Sequence, residues 1–121
     1  MFKHINVVGI LVDDLESAIA FYVDVLGFEK RTDAPFGDGG RFVTVAPKGA
    51  ETELALSVRT AADDNMKLMA ISYAVDDVDA VCEHLKVHNV EIVAGPVDEP
   101  WGARSATFKD VSGNEIYIIN A

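Results

Sequence analysis

An internal repeat is the feature that most constrains the fold of this chain. The segment Leu11–Glu29, with the sequence LVDDLESAIAFYVDVLGFE, has a degraded copy that begins at Ala74. The same shift of 63 residues also aligns Arg41 with Arg104, well beyond the end of this segment. Because such a repeat implies two related structural units, the sequence predicts a duplicated fold, with any site between its halves.

Length and charge limit the kind of protein. A chain of 121 residues fits one domain, which we divide into a first module (residues 1–59), a linker (60–67) and a second module (68–121). Twenty acidic and ten basic residues give a formal net charge of −10, which repels phosphate backbones and argues against nucleic acid as a partner. The excess acid has three interpretations: a solvated surface, adaptation to salt, or attraction of a cationic ligand.

Cysteine content and hydropathy indicate a cytoplasmic protein. Cys82 is the single cysteine, so it has no disulfide partner, and we assign it to the apolar side of a helix rather than to a reactive thiol. The run Ile5–Val12 is far shorter than the ~20 residues that cross a bilayer. We therefore expect no membrane span and no leader.

Hydrophobic spacing in the first module predicts the order strand, helix, strand, strand, strand. Ile5–Val12 suits a strand, Asp13 is the expected N-cap of the helix, and Gly27 is its expected left-handed end. A second strand starts at Phe28 and gives way to a glycine-rich turn at Ala34–Gly40. The other two strands are predicted at Arg41–Ala46 and Glu53–Arg59.

The pattern restarts in the second module. After a linker at Thr60–Lys67, the sequence predicts a strand at Leu68–Val75 and a helix capped by Asp76, with Asn89 at the position equivalent to Gly27. The remaining elements are a strand at Val90–Val93, a loop at Ala94–Gly102, a strand at Ala103–Lys109, a turn at Asp110–Asn114 and a strand at Glu115–Ile119.

These elements predict an α+β fold in which two βαβββ modules form a mixed sheet curled around a cleft, with the helices on the outer face. Strand side chains alternate between the two faces of a sheet. The bulky, helix-covered face is predicted to carry Val8, Ile10, Val12, Leu54, Leu56 and Val58, and then Ile71, Tyr73, Val75, Ile116 and Ile118. The opposite face is mostly small or polar, which leaves room for a ligand.

Two motifs carry a family resemblance. Val12 followed by DLESAIAFYVDVLGF, Asp14–Phe28, fits VxDLxxxxxFYxxvLGF, and DVSGNEI, Asp110–Ile116, fits DxxGNxI. Both resemble the vicinal oxygen chelate superfamily, which includes glyoxalase I, extradiol dioxygenases, and fosfomycin and bleomycin resistance proteins. The resemblance spans nearly the whole chain and implies the duplicated fold. It leaves the function open, because one fold carries several chemistries.

The resemblance also implies where a metal would bind. Metal-dependent members hold a divalent cation with His, Gln or Glu at two positions in each half. In this chain the four positions are occupied by valine, alanine and tyrosine. The side chains of valine and alanine have no lone pair to donate to a metal, and tyrosine must first lose a proton with a reference pKa of about 10. We therefore predict a protein without a metal or another cofactor. Counted from the motifs, the four positions are Val7, Ala55, Ala70 and Tyr117.

Few other residues suit polar chemistry on this face. Glu53 and Glu115 are equivalent under the repeat and lie two residues before lost ligand positions. Each is either a catalytic base or a glutamate at the surface end of a strand. His84 and His88 have a helical spacing that can bind zinc, but the sequence offers no third ligand nearby and we expect them on the surface. Alternation places His4 on the other face.

A second resemblance concerns the segment EPWGARSATFKDVSGNEI, Glu99–Ile116. It is similar to the closing segment of bleomycin resistance proteins, which are metal-free and bind an aromatic, cationic glycopeptide in clefts at a dimer interface. By this resemblance Trp101 and Phe42 stack on an aromatic ligand, unless Trp101 plugs its own loop, and Arg104 meets an anionic group or pairs with a carboxylate. The predicted ligand-binding residues are Val7, Phe42, Ala55, Ser57, Ala70, Ser72, Trp101, Arg104 and Tyr117.

The resulting hypothesis is a metal-independent homodimer that binds, and sequesters, a small aromatic or cationic compound. Two alternatives stay open. The first is a glyoxalase- or dioxygenase-type enzyme, against which the four lost ligand positions count. The second is a metal-free lyase or isomerase that uses Glu53 or Glu115 as its base.

Overall fold

Two units with the same order of elements make up the chain. The computed structural model describes residues 1–63 and 70–120. Contacts divide the chain into the units Met1–Lys67 and Leu68–Ala121. The end of the predicted linker (64–67) and the start of the predicted fifth strand (68–69) lie outside the described residues. The assignment of both units to one domain stays a prediction.

The first unit is a four-stranded sheet with one helix. Its strands lie in the order β1-β4-β3-β2, with β1 parallel to β4 and the other neighbours antiparallel. A short 3₁₀ turn, Ala61–Asp63, follows the last strand. The elements are β1 (Val7–Val12), α1 (Leu15–Ala20), β2 (Glu29–Phe36), β3 (Gly40–Ala46) and β4 (Glu53–Val58).

The second unit repeats this arrangement. Its strand order is β5-β8-β7-β6, again with one parallel pair, β5 and β8. The predicted α+β class and βαβββ order are therefore confirmed. The elements are β5 (Ala70–Val75), α2 (Val78–Val87), β6 (Ile92–Asp98), β7 (Arg104–Lys109) and β8 (Glu115–Asn120).

Both helices begin one residue later than the sequence predicted. Asp14, rather than Asp13, has the extended backbone of an N-cap, and its carboxylate accepts a hydrogen bond of 2.8 Å from the N–H of Ser17. Asp77, rather than Asp76, accepts the equivalent bond of 3.1 Å from the N–H of Ala80. Paired aspartates precede each helix, and the second aspartate of each pair accepts the hydrogen bond from the N–H three residues later.

The predicted helix ends are confirmed in their backbone conformation. Gly27 has φ +78° and Asn89 has φ +59°, both in the left-handed region that ends helices. Between α1 and Gly27 the chain makes a π-helical turn, Phe21–Val25, which hydrophobic spacing does not reveal. This turn buries the neighbouring rings of Phe21 and Tyr22, whose centroids are 5.6 Å apart.

Two predicted breaks in regular structure are wrong. The turn predicted at Ala34–Gly40 is shorter, because β2 continues to Phe36, and the loop predicted at Ala94–Gly102 starts later, because β6 continues to Asp98. Glycine and proline suggested the breaks. Both strands lie at the edge of their sheets, where proline is tolerated because one side of the strand needs no N–H donor.

The cores lie between each sheet and its helix, as the alternation predicted. Cys82 is 1% exposed and belongs to this core, which confirms its assignment. The prediction that Val58 is covered by the helix is wrong, since this last residue of β4 is 47% exposed. Of the predicted core residues, Ile10, Val12, Leu54, Leu56, Ile116 and Ile118 are buried, and Val8, Ile71, Tyr73 and Val75 are half-buried.

Candidate ligand-binding site

The face of each sheet that points away from the helix, here called the distal face, carries most of the predicted site residues. In the second unit, Ser72 is opposite Tyr117 across β5 and β8, and Tyr117 is opposite Thr107 across β8 and β7. Residues opposite one another share a face, so these three side chains lie together. The distal face of this unit carries Ala70, Ser72, Ala74, Ser105, Thr107, Lys109, Glu115, Tyr117 and Ile119.

A cavity of about 290 Å³ lies on this distal face. Small side chains create the space, since Ala70 and Ser72 on β5 fill little volume beside the larger ring of Tyr117. Three predicted ligand-binding residues and the alternative catalytic residue Glu115 therefore come together. The lining residues are Ala70, Ile71, Ser72, Thr107, Glu115 and Tyr117.

In the first unit, the distal face brings together Val7, Phe42, Ala55 and Ser57. Ala55 lies opposite Thr44 on β3, and alternation puts Phe42 on the same side. The Phe42 ring is 38% exposed and lies 6.3 Å from that of Phe36. Ser57 also borders a cavity of about 380 Å³ in this unit, lined by Leu15, Gly39, Gly40, Arg41, Leu56, Ser57 and Val58.

Arg104 lies on the other side of its sheet. Its guanidinium donates to Asp79 in the first turn of α2, at 2.7 and 3.0 Å, and to Asp98 at 3.0 Å. The hydrogen bonds from Arg104 hold the pKa of Asp79 below its usual value. Arg41 makes the same kind of bridge in the first unit, to Glu16 and Asp33. The carboxylate-pairing interpretation of Arg104 therefore fits its contacts.

Trp101 follows β6 in the loop that closes the β6–β7 hairpin. The loop is held by hydrogen bonds from the N–H of Gly102 to the carbonyl of Glu99 and from the N–H of Glu99 to the carbonyl of Ala103. The indole is 67% exposed, so it does not fill the loop as a plug. It is available at the surface for contact with another molecule.

Glu99 is a polar residue of this face that the sequence did not single out. Its Oε1 atom accepts a hydrogen bond of 2.6 Å from the hydroxyl of Ser105 and lies 3.4 Å from the hydroxyl of Tyr117. Because Tyr117 also lines the cavity, Glu99 borders the candidate site. Only the folded hairpin and the strand register bring these residues together, and apolar spacing in the sequence does not reveal either.

The two glutamates suggested as catalytic bases lie in different surroundings. Glu53 is half-buried, with its carboxylate 3.6 Å from the guanidinium of Arg31. Glu115 is exposed at the start of β8, opposite Ala70 and Lys109. A general base at neutral pH usually depends on burial away from counter-charges. Neither glutamate has those surroundings.

The family's metal positions do not fit a divalent cation here. Val7, Ala55 and Ala70 offer no donor atom, and the hydroxyl of Tyr117 points to Glu99. In residues 1–63 and 70–120, no group of three or more His, Cys, Asp or Glu side chains is arranged to hold a metal. The exposed ring of His84 on α2 lies 4.5 Å from that of His88, the residue that caps this helix, and His4 lies 3.6 Å from Glu51.

The DVSGN motif forms a structural turn. The buried carboxylate of Asp110 accepts hydrogen bonds from the N–H groups of Ser112 and Asn114 and from the side-chain amide of Asn114. Burial, with the charge of Asp110 as a second cause, raises the pKa of Tyr73 well above its usual value. The motif therefore shapes the start of β8, which carries Glu115 and Tyr117 to the cavity.

None of the helices within the described ranges is long and apolar enough to cross a membrane.

A family model and a curated relative both match nearly the whole chain. The model of the Glyoxalase/Bleomycin resistance protein/Dioxygenase superfamily matches residues 4–118. The uncharacterized protein YetH of Bacillus subtilis (strain 168) is 32% identical over 115 residues, which cover 94% of this chain and 95% of YetH.

Two solved structures are similar over nearly their whole length. A member of the glyoxalase/bleomycin resistance protein/dioxygenase superfamily from Sphaerobacter thermophilus DSM 20745 is 34% identical, with a TM-score of 0.90 and coverage of 99% of this chain and 98% of that one. TnmS3, an antibiotic binding protein from Streptomyces sp. CB03234, is 36% identical, with a TM-score of 0.86 and coverage of 98% and 96%.

Proposed function

Since the chain belongs to the glyoxalase/bleomycin resistance protein/dioxygenase superfamily, we propose that it is a binding protein for a small organic molecule. The observation that carries this proposal is the cavity of about 290 Å³ on the distal face of the second unit. Ala70, Ser72 and Tyr117 line this cavity. Ala70 stands at a position where metal-dependent members of the family have a metal ligand, and its small side chain leaves space. Such a concave, mostly apolar surface with a few polar groups suits a small organic ligand.

Similarity to an antibiotic-binding protein supports a small organic ligand, and exposed aromatic rings favour an aromatic one. TnmS3 is 36% identical to this chain and is described as antibiotic binding. Trp101, Phe42 and Phe36 expose ring surface, and rings of this kind stack on flat ligands. We propose that the protein sequesters such a compound on the second unit through Ala70, Ser72, Trp101 and Tyr117, whereas Arg104 is engaged with Asp79 and Asp98. The contribution of Val7, Phe42, Ala55 and Ser57, on the first unit, stays a prediction.

Binding is proposed to be independent of metal. The side chains at Val7, Ala55 and Ala70 supply no lone pair, and no other side chain takes their place within the described residues. Stacking and hydrogen bonds must then provide the affinity. Metal-dependent glyoxalase- or dioxygenase-type chemistry receives no support from this set of donors.

The homodimer and the cytoplasmic location are also proposals. They follow from the resemblance to bleomycin resistance proteins, which bind their ligand at a dimer interface, and from a sequence with a single cysteine. Sedimentation velocity tests the first: a mass of twice 13.1 kDa supports the dimer, and a single-chain mass at all concentrations contradicts it.

A thermal-shift screen tests the proposed function. Metal-free protein is heated with aromatic antibiotics, catechols and thiol conjugates, and a ligand at 100 times its Kd should stabilise the fold by about 2.7 kcal/mol. The Ser72→Leu variant fills the cavity and should lose the shift. Glu83→Leu on the exposed side of α2 adds a similar side chain away from the site and should keep it. A ligand whose shift survives Ser72→Leu would contradict the site.

A further inference from the structure

Glu99 is placed on the distal face by the geometry of its hairpin. The residue directly follows β6, and its N–H donates to the carbonyl of Ala103 at 2.7 Å. The hydroxyls of Ser105, at 2.6 Å, and Tyr117, at 3.4 Å, both point to Oε1. Oε2 accepts no hydrogen bond from the residues that the structure describes. One oxygen of the carboxylate is thus fixed, and the other is available to a ligand.

The first unit contains the same position without a carboxylate. Phe36 lies opposite Gly40 in the β2–β3 hairpin, as Glu99 lies opposite Ala103 in the β6–β7 hairpin. The shift of 63 residues that relates the two units aligns Phe36 with Glu99 and Gly40 with Ala103. These two side chains therefore occupy equivalent places in the two units.

The partners of Glu99 are also replaced in the first unit. Phe42 in the first unit is equivalent to Ser105 in the second. Ala55 is equivalent to Tyr117, because each lies opposite a threonine of the neighbouring strand, Thr44 or Thr107. A hairpin of this fold therefore forms with two phenylalanines, whose rings lie 6.3 Å apart, as well as with a hydrogen-bonded carboxylate. Since the fold does not require Glu99 and its two hydroxyl partners, we take their presence together on the distal face as an indication of a ligand.

Among the residues that the structure describes, no ion pair compensates the charge of Glu99. Within the described residues no Lys, Arg or His side chain pairs with it, and Arg104, the nearest guanidinium in sequence, binds Asp79 and Asp98 instead. A half-buried carboxylate loses part of its hydration, and a paired cation compensates for that loss. The missing cation is one that a ligand can supply.

We propose that Glu99 recognises a protonated amine or a guanidinium on an aromatic ligand, and thereby selects cationic compounds over neutral ones of the same shape. The role rests on the proposed function, since it requires a ligand on the distal face. The cation donates to Oε2 of Glu99, the attached ring system enters the cavity beside Tyr117, and the exposed indole of Trp101 contacts the ligand from the hairpin loop.

Two isosteric probes test this selectivity. 2-Naphthylmethylamine is a cation at pH 7, and 2-naphthylmethanol has the same ring and nearly the same shape without the charge. Isothermal titration of the full chain should give an affinity about tenfold higher for the amine, the usual effect of a charge-assisted hydrogen bond. In Glu99→Gln the two affinities should agree within about twofold, because the amine loses its charge-assisted partner.

Two further variants separate position from charge. Ser105→Ala keeps the charge but releases Oε1, and should reduce the preference for the amine without abolishing it. Glu83→Gln removes the same charge from the exposed side of α2 and should leave the preference intact, which excludes a general effect of net charge.

The outcomes distinguish the two proposals. If the wild type binds both probes with equal affinity, or if Glu99→Gln keeps the preference, the role of Glu99 is wrong while the proposed function stands. If neither probe binds to the wild type, the proposed binding function fails and the role of Glu99 fails with it.

Discussion

Asp33 and Arg41 illustrate how single side chains of this acidic protein depend on the few basic ones. Arg41 donates two hydrogen bonds to the Asp33 carboxylate, at 2.7 and 3.1 Å, and Lys30 donates a third at 2.9 Å. The hydrogen bonds from Arg41, and then those from Lys30, lower the pKa of Asp33 from 3.8 to about 2. The folded state thus binds the proton of this group less tightly than the unfolded chain does.

A pH dependence of stability follows from Asp33. Because the folded pKa is the lower one, the stabilisation is fully present above the unfolded value of 3.8 and is lost as the pH falls through about 2. We predict that wild type and Asp33→Asn differ in free energy of unfolding above about pH 5 and converge toward pH 2. Urea unfolding at several pH values measures this.

The matched control is Asp38→Asn, in the exposed turn between β2 and β3. It removes the same charge without removing a described hydrogen bond, so its curve should follow that of the wild type. A difference between wild type and Asp33→Asn that grows as the pH falls would contradict the account.

How much of the site the sequence predicted also depends on single residues. Alternation along β5 and β8 placed Ala70, Ser72 and Tyr117 on one face, because the parity of those strands follows from their apolar residues. The parity of β7 does not follow from its apolar residues, since the consecutive residues Ser105 and Ala106 are both buried. The face of Arg104 could therefore be determined only from the register with β8.

At the scale of elements, the ends of helices and strands were harder to predict than their existence. A pair of aspartates precedes each helix, and apolar spacing alone does not tell which of them caps it. Edge strands β2 and β6 contain Pro35 and Pro96, which suggested early breaks. Proline is compatible with an edge strand, and only the sheet order shows that these strands are at edges.

The cap of α2 offers a test at this scale. Asp77→Ala removes the hydrogen bond to the N–H of Ala80 and should lower the free energy of unfolding by about 1 kcal/mol. Asp76→Ala removes an equal charge one residue earlier and should change it by less than about 0.5 kcal/mol. Urea unfolding followed by circular dichroism compares them. A larger effect at Asp76 would show that the helix begins at the earlier aspartate.

At the scale of the whole molecule, the repeat predicted the most. It determined the βαβββ order of each unit, and the two parallel strand pairs share one register: Val7 opposite Glu53, and Ala70 opposite Glu115. Function cannot be read from the repeat in the same way, because the two units differ where the fold permits it. One such difference is at the end of the hairpin, where the second unit has the hydrogen-bonded Glu99 and the first unit has Phe36.

The central claim is that an organic ligand binds, without metal, on the distal face of the second unit. Its most direct test is a titration of chelator-treated, ¹⁵N-labelled protein with a compound from the thermal-shift screen, followed by amide chemical shifts. The account predicts that the largest shifts fall on Ala70–Ala74, Thr107 and Glu115–Tyr117. Shifts confined to other parts of the chain, or binding that occurs only after a divalent cation is added, would contradict it.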